Sequence, residues 1–428
     1  MTRRAEISDR PIDREEPIKG QQRMLLLSWL TYSLAYTLRV NIAVVIPAIV
    51  VTYDYTYTQM GLVTSLYFTT YMGGQLINGY LGDRVSGKLL IICGLVTSAL
   101  CNLGFALASS FAIMALFWAA NGLAQSMLWA PLMKTLSVWF HGYQLERVSF
   151  IMALTVIIGY AFSWGLSSIV TAQLGWAYAF YLPAGLVLAF SVLMIFFFRS
   201  KPVESLDTTK NAKTKADQKD GALPLLRFIR LIHLPGLLLI AFTQGVIREG
   251  ISIWFPTIVA SSGRFTAGSP WLILVIVPLI NFCGVLFVRY VNRFLKRDSQ
   301  RTLLFVFVLV TLTALVLNLM NISWFWLVLL IIMLLLSLTY GLTPLLTSVI
   351  PFQYAHFRRV SLMTGLIDFS IYLGAAIAGI ASGWIADNHP WNRVMLLWLA
   401  AALLGLMLAV WQFFKQKNNP SSEQKLYR

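Results

Sequence analysis

Charge is what this 428-residue chain has least of. Asp, Glu, Lys and Arg together make up 12% of it, while hydrophobic residues make up 58% and mean hydropathy is +0.72. A soluble globular chain carries about twice that charged fraction, so a water-facing surface cannot be tiled from these residues. A disordered chain needs still more polar residues. Cysteine is also rare. Cys93, Cys101 and Cys283 all lie in apolar runs without ligand spacing, which excludes a disulfide scaffold and a thiolate metal site. The four histidines (His141, His233, His356, His389) lie near loops and form no HExxH pair or other metal cluster. There is no nucleotide-binding loop and no nucleophile elbow. The chain is therefore not expected to be an enzyme, to hold a metal or to carry a cofactor.

What is abundant is apolar sequence. Twelve runs reach the roughly 20 residues that a membrane-spanning helix needs, from Met24–Val51 and Thr58–Leu81 to Leu362–Ile385 and Val394–Phe414. The opening Met1–Arg23 is charged and has no short apolar core leading to a cleavage site, so the first span is expected to stay attached. The chain is read as an all-α polytopic membrane protein. Its net charge of +16 is not spread evenly. Of 33 Lys and Arg, 28 fall on the side of both termini, two (Arg264, Arg393) on the other side, and Arg39, Lys134 and Arg248 inside spans. The positive-inside rule then puts both termini in the cytoplasm. The charge records topology, with anionic lipid as the natural contact, and no nucleic-acid partner is expected.

One long polar stretch, between the sixth and seventh spans, divides the chain. Residues 1–23 form a cytoplasmic N-terminal segment, 24–198 a first six-helix half, 199–235 a cytoplasmic linker, 236–414 a second six-helix half and 415–428 a cytoplasmic tail. The halves repeat. Arg39 and Pro47 recur as Arg248 and Pro256 at one offset of 209 residues. Asp83-Arg84 is echoed by Asn292-Arg293 at the same offset, and Arg147-Val148-Ser149 by Arg359-Val360-Ser361 at 212. Two parallel six-helix repeats describe the major facilitator fold, twelve transmembrane helices in two pseudo-symmetric halves.

The loop Gly79-Tyr80-Leu81-Gly82-Asp83-Arg84-Val85-Ser86-Gly87-Lys88 resembles the major facilitator signature G-x-L-x-D-R-x-G-R-K, with Ser86 and Gly87 replacing the usual Gly and Arg. Other segments are similar to the organophosphate:phosphate antiporters, the branch of glycerol-3-phosphate and hexose-phosphate transporters. Arg248-Glu249-Gly250-Ile251-Ser252-Ile253-Trp254-Phe255-Pro256-Thr257 resembles that family's R-x-G-I-x-x-W-x-P-T, and Gly122 to Pro131 its G-x-x-Q-G-M-G-W-P-P. Glu146-Arg147 falls where the family has an E-R pair. Gly175-Trp176-Ala177-Tyr178-Ala179-Phe180 and Thr364-Gly365-Leu366-Ile367-Asp368 resemble two further patterns. The family's tyrosines before its first-span arginine match Tyr32 and Tyr36, and another matches Tyr71. Departures are as specific: Gln75 replaces a lysine, Val40 a basic residue, Ile253 an acidic one and Thr155 a histidine. Arg39-Val40-Asn41-Ile42-Ala43-Val44 is also similar to organic anion:cation symporters, which keeps carboxylate substrates open.

Arg39 and Arg248 sit near the middle of their spans, where an arginine costs at least about 2.5–3.5 kcal/mol. A guanidinium stays charged and offers a planar fork matched to phosphate or carboxylate oxygens. One such group per half is expected to clamp a dianion. Tyr32, Tyr36 and Arg39 share a helical face, and Tyr71, Gln75, Gln125 and Trp129 are the further candidates for substrate contact, with Thr155 and Tyr160 weaker. Gating or proton coupling is assigned to Lys134, Asp368, Glu249, Asp83 and Arg84. Lys134 and Asp368 are expected to meet when the cytoplasmic side closes. Glu249 is left open between neutralising Arg248, carrying a proton and facing another helix.

The preferred reading is secondary active transport of a small phosphorylated organic anion across the cytoplasmic (inner) membrane in exchange for inorganic phosphate, by a monomer working through alternating access. Two bare arginines would hold the empty carrier back from reorienting. The alternatives are proton-coupled symport of an organic carboxylate and a transporter-like membrane sensor of sugar phosphate.

Overall fold

The computed structural model describes residues 20–81, 85–140, 142–200, 234–264, 270–320, 324–354 and 360–418. Asp83, Arg84, most of the inter-half linker and both tails lie outside the described residues. Among the described residues all regular structure is helical, in twelve spans as expected. In the first half these are α1 (Gln21–Tyr53), α2 (Tyr57–Leu81), α3 (Gly87–Leu107), α4 (Phe111–Trp139), α5 (Gly142–Leu174) and α6 (Tyr178–Phe197). In the second they are α7 (Leu234–Ser261), α8 (Trp271–Phe294), α9 (Ser299–Leu319), α10 (Phe325–Gln353), α11 (Val360–Asn388) and α12 (Asn392–Asn418). A helix satisfies its own backbone groups, as a lipid environment demands. Eleven of the twelve are long and apolar enough to cross a membrane. The exception is α2, which carries several Thr, Tyr, Gln and Asn residues and packs against α4 and α11.

Contacts group the spans. α1 packs on α5, α2 and α3 on α4, and α3 on α6; α7 packs on α11 and α12, α8 on α10, and α9 on α12. The groups meet along α2–α11, α5–α8 and α1–α7. Glycine permits the closest of these approaches. A methyl group on Gly61 would overlap the carbonyl of Gly379, and one on Gly383 would overlap the carbonyl of Tyr57.

Three spans are interrupted. α1 is helical over Gln21–Thr37 and again over Asn41–Tyr53, with Leu38-Arg39-Val40 between. α4 breaks between Gln125 and Trp129. α10 widens into a π-turn at Leu345–Val349, straight after Pro344. At the break in α1, buried side chains donate to backbone carbonyls. Leu38 O accepts from Asn121 (2.8 Å) and Asn102 (3.1 Å), Val40 O from the Trp164 indole (3.2 Å), and Ala35 O from Gln125 (3.0 Å). Asn102 also accepts from Asn41 (3.0 Å), and Ser98 bridges Asn121 and Gln125. Irregular backbone at membrane depth is tolerated only where protein or a cavity lines it, and here protein does so on one side.

The two ends of the bundle differ. Opposite the termini, which we call the distal end, both carboxylate oxygens of Asp387 on α11 accept from α2: Tyr57 N–H (2.8 Å), Thr58 N–H (2.7 Å) and the Thr58 hydroxyl (2.5 Å). Tyr57 also packs edge-on against Trp254 and Trp391. Further in, Ser65 donates to the Ala376 carbonyl, and Phe68 stacks on Tyr372. Past Tyr71 the pairing of α2 with α11 ends, and a Cβ on Gly73 or on Gly365 would meet nothing within 4 Å. Among the described residues the bundle is closed distally and open toward the end that carries both termini.

Candidate functional site

Arg39 stands in the break of α1, buried to 8% exposure. Its guanidinium lies over four tyrosine rings: Tyr71 (4.7 Å), Tyr36 (5.4 Å), Tyr372 (5.5 Å) and Tyr67 (5.7 Å). Among the described residues its one hydrogen bond to a side chain is long, 3.3 Å to the Tyr372 hydroxyl. Desolvated cation–π contacts are worth about 2 kcal/mol, so the rings hold the cation without occupying its donors. The Tyr67 hydroxyl is buried and has no hydrogen-bond partner among the described residues. Arg39 and Tyr67 line a small cavity with Thr64, Tyr160, Glu249 and Ser252.

Arg248, on α7, is equally buried at 7% but differently held. Its Nε (2.9 Å) and one terminal nitrogen (2.5 Å) both donate to Oε1 of Glu249, and the other terminal nitrogen donates to the Thr343 hydroxyl (2.8 Å). The ion pair corrects the expectation of two bare arginines: Glu249 neutralises Arg248, whereas Arg39 has no carboxylate partner among the described residues. An aromatic chain links the two. Tyr36 packs on Tyr160 (5.3 Å), Tyr160 on Tyr340 (6.3 Å), and Arg248 lies over Tyr340 (5.4 Å).

The other sequence-derived candidates divide. Tyr36 and Tyr71 touch Arg39. Tyr32 sits one turn back, between Tyr36 and the half-buried Trp129 (ring centroids 4.5 Å apart). Gln75 is half-buried one turn past Tyr71, toward the open end. Gln125 is a correction. Its amide nitrogen donates to Ala35 O and to Ser98 (2.9 Å), so it braces the α1 break from inside the first half and does not face the cavity. Thr155 is buried and donates to the Met152 carbonyl on its own helix. Lys134 is exposed and Asp368 partly so; the two are not paired with each other in this conformation. Asp368 lies within electrostatic reach of Arg248.

Tyr67, Tyr340, Thr343 and Tyr372 escaped the sequence reading. Tyr372 had a signal, since it stands 212 residues after Tyr160, the offset already seen at Arg147 and Arg359. Tyr67 lies one turn before Tyr71 on the same helical face. For Tyr340 and Thr343 no sequence pattern pointed inward.

Comparisons with known proteins agree with this architecture. The chain is 25% identical over 402 residues to a glycerol-3-phosphate transporter of Bacillus subtilis, covering 88% of each protein. It is 19% identical over 425 residues to a probable hexose phosphate transport protein of Chlamydia trachomatis, covering 94% of this chain and 93% of that one. The solved structure of the nucleoside transporter NupG superposes with a TM-score of 0.74 at 14% identity, over 92% of this chain and 99% of that one. The profile of the Major Facilitator Superfamily matches residues 28–359. With twelve spans packed as two six-helix groups around a central charged cavity, the chain belongs to the Major Facilitator Superfamily.

Proposed function

We propose that the protein is a secondary active transporter of a small phosphorylated organic anion, a sugar phosphate or glycerol phosphate, exchanged for inorganic phosphate by alternating access. The observation that carries this reading is Arg39: a buried, permanently charged fork at a helix break, caged by aromatic faces, with no carboxylate and one long side-chain hydrogen bond among the described residues. A guanidinium so placed lacks an oxyanion, and phosphate supplies oxygens at the spacing its fork matches. Tyr67, with its unspent hydroxyl, and Tyr372 lie beside it as donors for the remaining ligand oxygens. Two of the relatives are a glycerol-3-phosphate transporter and a probable hexose phosphate transport protein, which fits that chemistry.

The positive-inside bias places both termini in the cytoplasm, so the open end faces inward and the Asp387 contact is the external closure. We read the protein as working in the cytoplasmic membrane as a monomer. A bare Arg39 opposes closure around an empty site, and a bound anion removes that opposition. One observation favours a second reading, an organic carboxylate carried with a proton: the Arg248–Glu249 pair places a protonatable group beside the site.

Counterflow in proteoliposomes tests the proposal. Vesicles loaded with inorganic phosphate should accumulate external glycerol-3-phosphate or hexose 6-phosphate, and Arg39→Lys should abolish the uptake at equal protein level. Uptake that ignores internal phosphate but follows an imposed proton gradient would replace exchange with symport.

A further inference from the structure

Side chains at i and i+1 on a helix diverge, so adjacent residues seldom pair. Arg248 and Glu249 do pair, and the geometry is specific. The Nε edge of the guanidinium, which with a terminal nitrogen forms the two-pronged face suited to an oxyanion, is taken by a single carboxylate oxygen. Glu249 is 4% exposed and lines the same cavity as Arg39. The remaining polar partner of Arg248 is the neutral hydroxyl of Thr343. A protein carboxylate thus occupies the face of Arg248 that a ligand oxyanion would grip.

We propose that Glu249 is an internal counter-ion which substrate displaces from Arg248, so that the site accepts one net negative charge from outside: a monoanion alone, or a dianion together with one proton held on Glu249. This deepens the transport reading above and rests on it. The charges around Glu249 support the count. α1 presents Arg39 and Tyr36, α2 Tyr67, α5 Tyr160 and α10 Tyr340, while Tyr372 on α11 reaches the paired Arg248. α12 contributes Trp398, beside Gly250, which does not ionise. Two arginines minus one carboxylate leave one positive charge. Asp368 on α11 lies within reach of Arg248 but is partly exposed and holds no ion pair with it, so it is the competing candidate for the proton.

A phosphate monoester, with a second pKa of about 6, is mainly a dianion in neutral solution. Its binding should therefore carry in about one proton. Binding of a monocarboxylate should carry in none. Isothermal titration calorimetry in two buffers of different ionisation enthalpy counts protons directly, on purified full-length protein with inorganic phosphate, glycerol-3-phosphate and glucuronate as probes. Wild-type protein should take up about one proton with glycerol-3-phosphate at about pH 8. Glu249→Gln should take up none and bind the ester roughly tenfold or more tighter, because a nearby negative charge is gone.

Unchanged affinity and proton uptake in Glu249→Gln would overturn the inference. So would uptake lost in Asp368→Asn but kept in Glu249→Gln, which would move the proton to Asp368. If Glu249→Gln fails to reach the membrane, the wild-type count decides alone, since dianion binding without proton uptake contradicts the charge balance. Binding of glucuronate but neither phosphate probe would sink the phosphate reading while leaving Glu249 testable, because Glu249→Gln should still tighten glucuronate. Binding of none of the three probes by wild-type protein overturns both.

Discussion

Asp387→Asn should release the distal closure. The carboxylate accepts two backbone N–H groups and one hydroxyl from the first turn of α2, so it works as a helix N-cap supplied by the other half. Asparagine keeps one carbonyl oxygen and replaces the other acceptor with an NH₂ group, losing the charge and up to two of the three bonds. Asp387 is exposed, which keeps the loss near the usual cap value of about 1 kcal/mol rather than the larger value of buried charged bonds. The contact exists only in the distally closed state, so the whole loss falls on that state. At about 1.4 kcal/mol per factor of ten, the ratio of distally open to closed protein should rise about fivefold. Pulsed electron paramagnetic resonance reads this directly, with spin labels at Ser110 and Asn392 in a background whose three cysteines are replaced. Asp387→Ala should shift the population further. A ratio that moves less than about twofold in both variants would mean that the Trp254, Trp391 and Tyr57 cluster, not the carboxylate, holds the closure.

Gly61→Ala places a methyl group on the Gly379 carbonyl across the same interface, so it too should populate the distally open state, with normal protein level as the control. Arg39→Lys keeps the charge but loses the fork, and phosphate-ester binding should weaken about ten- to hundredfold, the value of one or two charge-assisted bonds; wild-type affinity by calorimetry would make Arg39 structural. Asn121→Leu removes the 2.8 Å bond to Leu38 O and the acceptor for Ser98, which should cost about 1–3 kcal/mol and lower the melting temperature in detergent. Lys134→Asp and Asp368→Lys should each impair transport, and the swapped double variant should recover it if the two residues meet in the proximally closed state. Additive losses in that double variant would remove the pairing.

The membrane class, the twelve spans and the repeat were legible in the sequence because each depends on one-dimensional quantities. Span length follows from bilayer thickness, and the duplication is an offset that Arg39 and Arg248 share. Burial of both arginines followed from the same logic, since a charge at mid-span must face inward. Tertiary structure decided what surrounds each. Gln125 and Tyr71 are equally polar candidates by sequence, yet one donates to a carbonyl beside the α1 break and the other lies against Arg39. Tyr340 and Thr343 reach Arg248 from α10, nearly a hundred residues along the chain. No local pattern encodes that meeting. The choice between Glu249 as gate, proton carrier or counter-ion was likewise a question of side-chain direction. Sequence spacing places Glu249 about 100° around the helix from Arg248, and only the bend of the arginine back onto its neighbour, in a buried site, makes them partners.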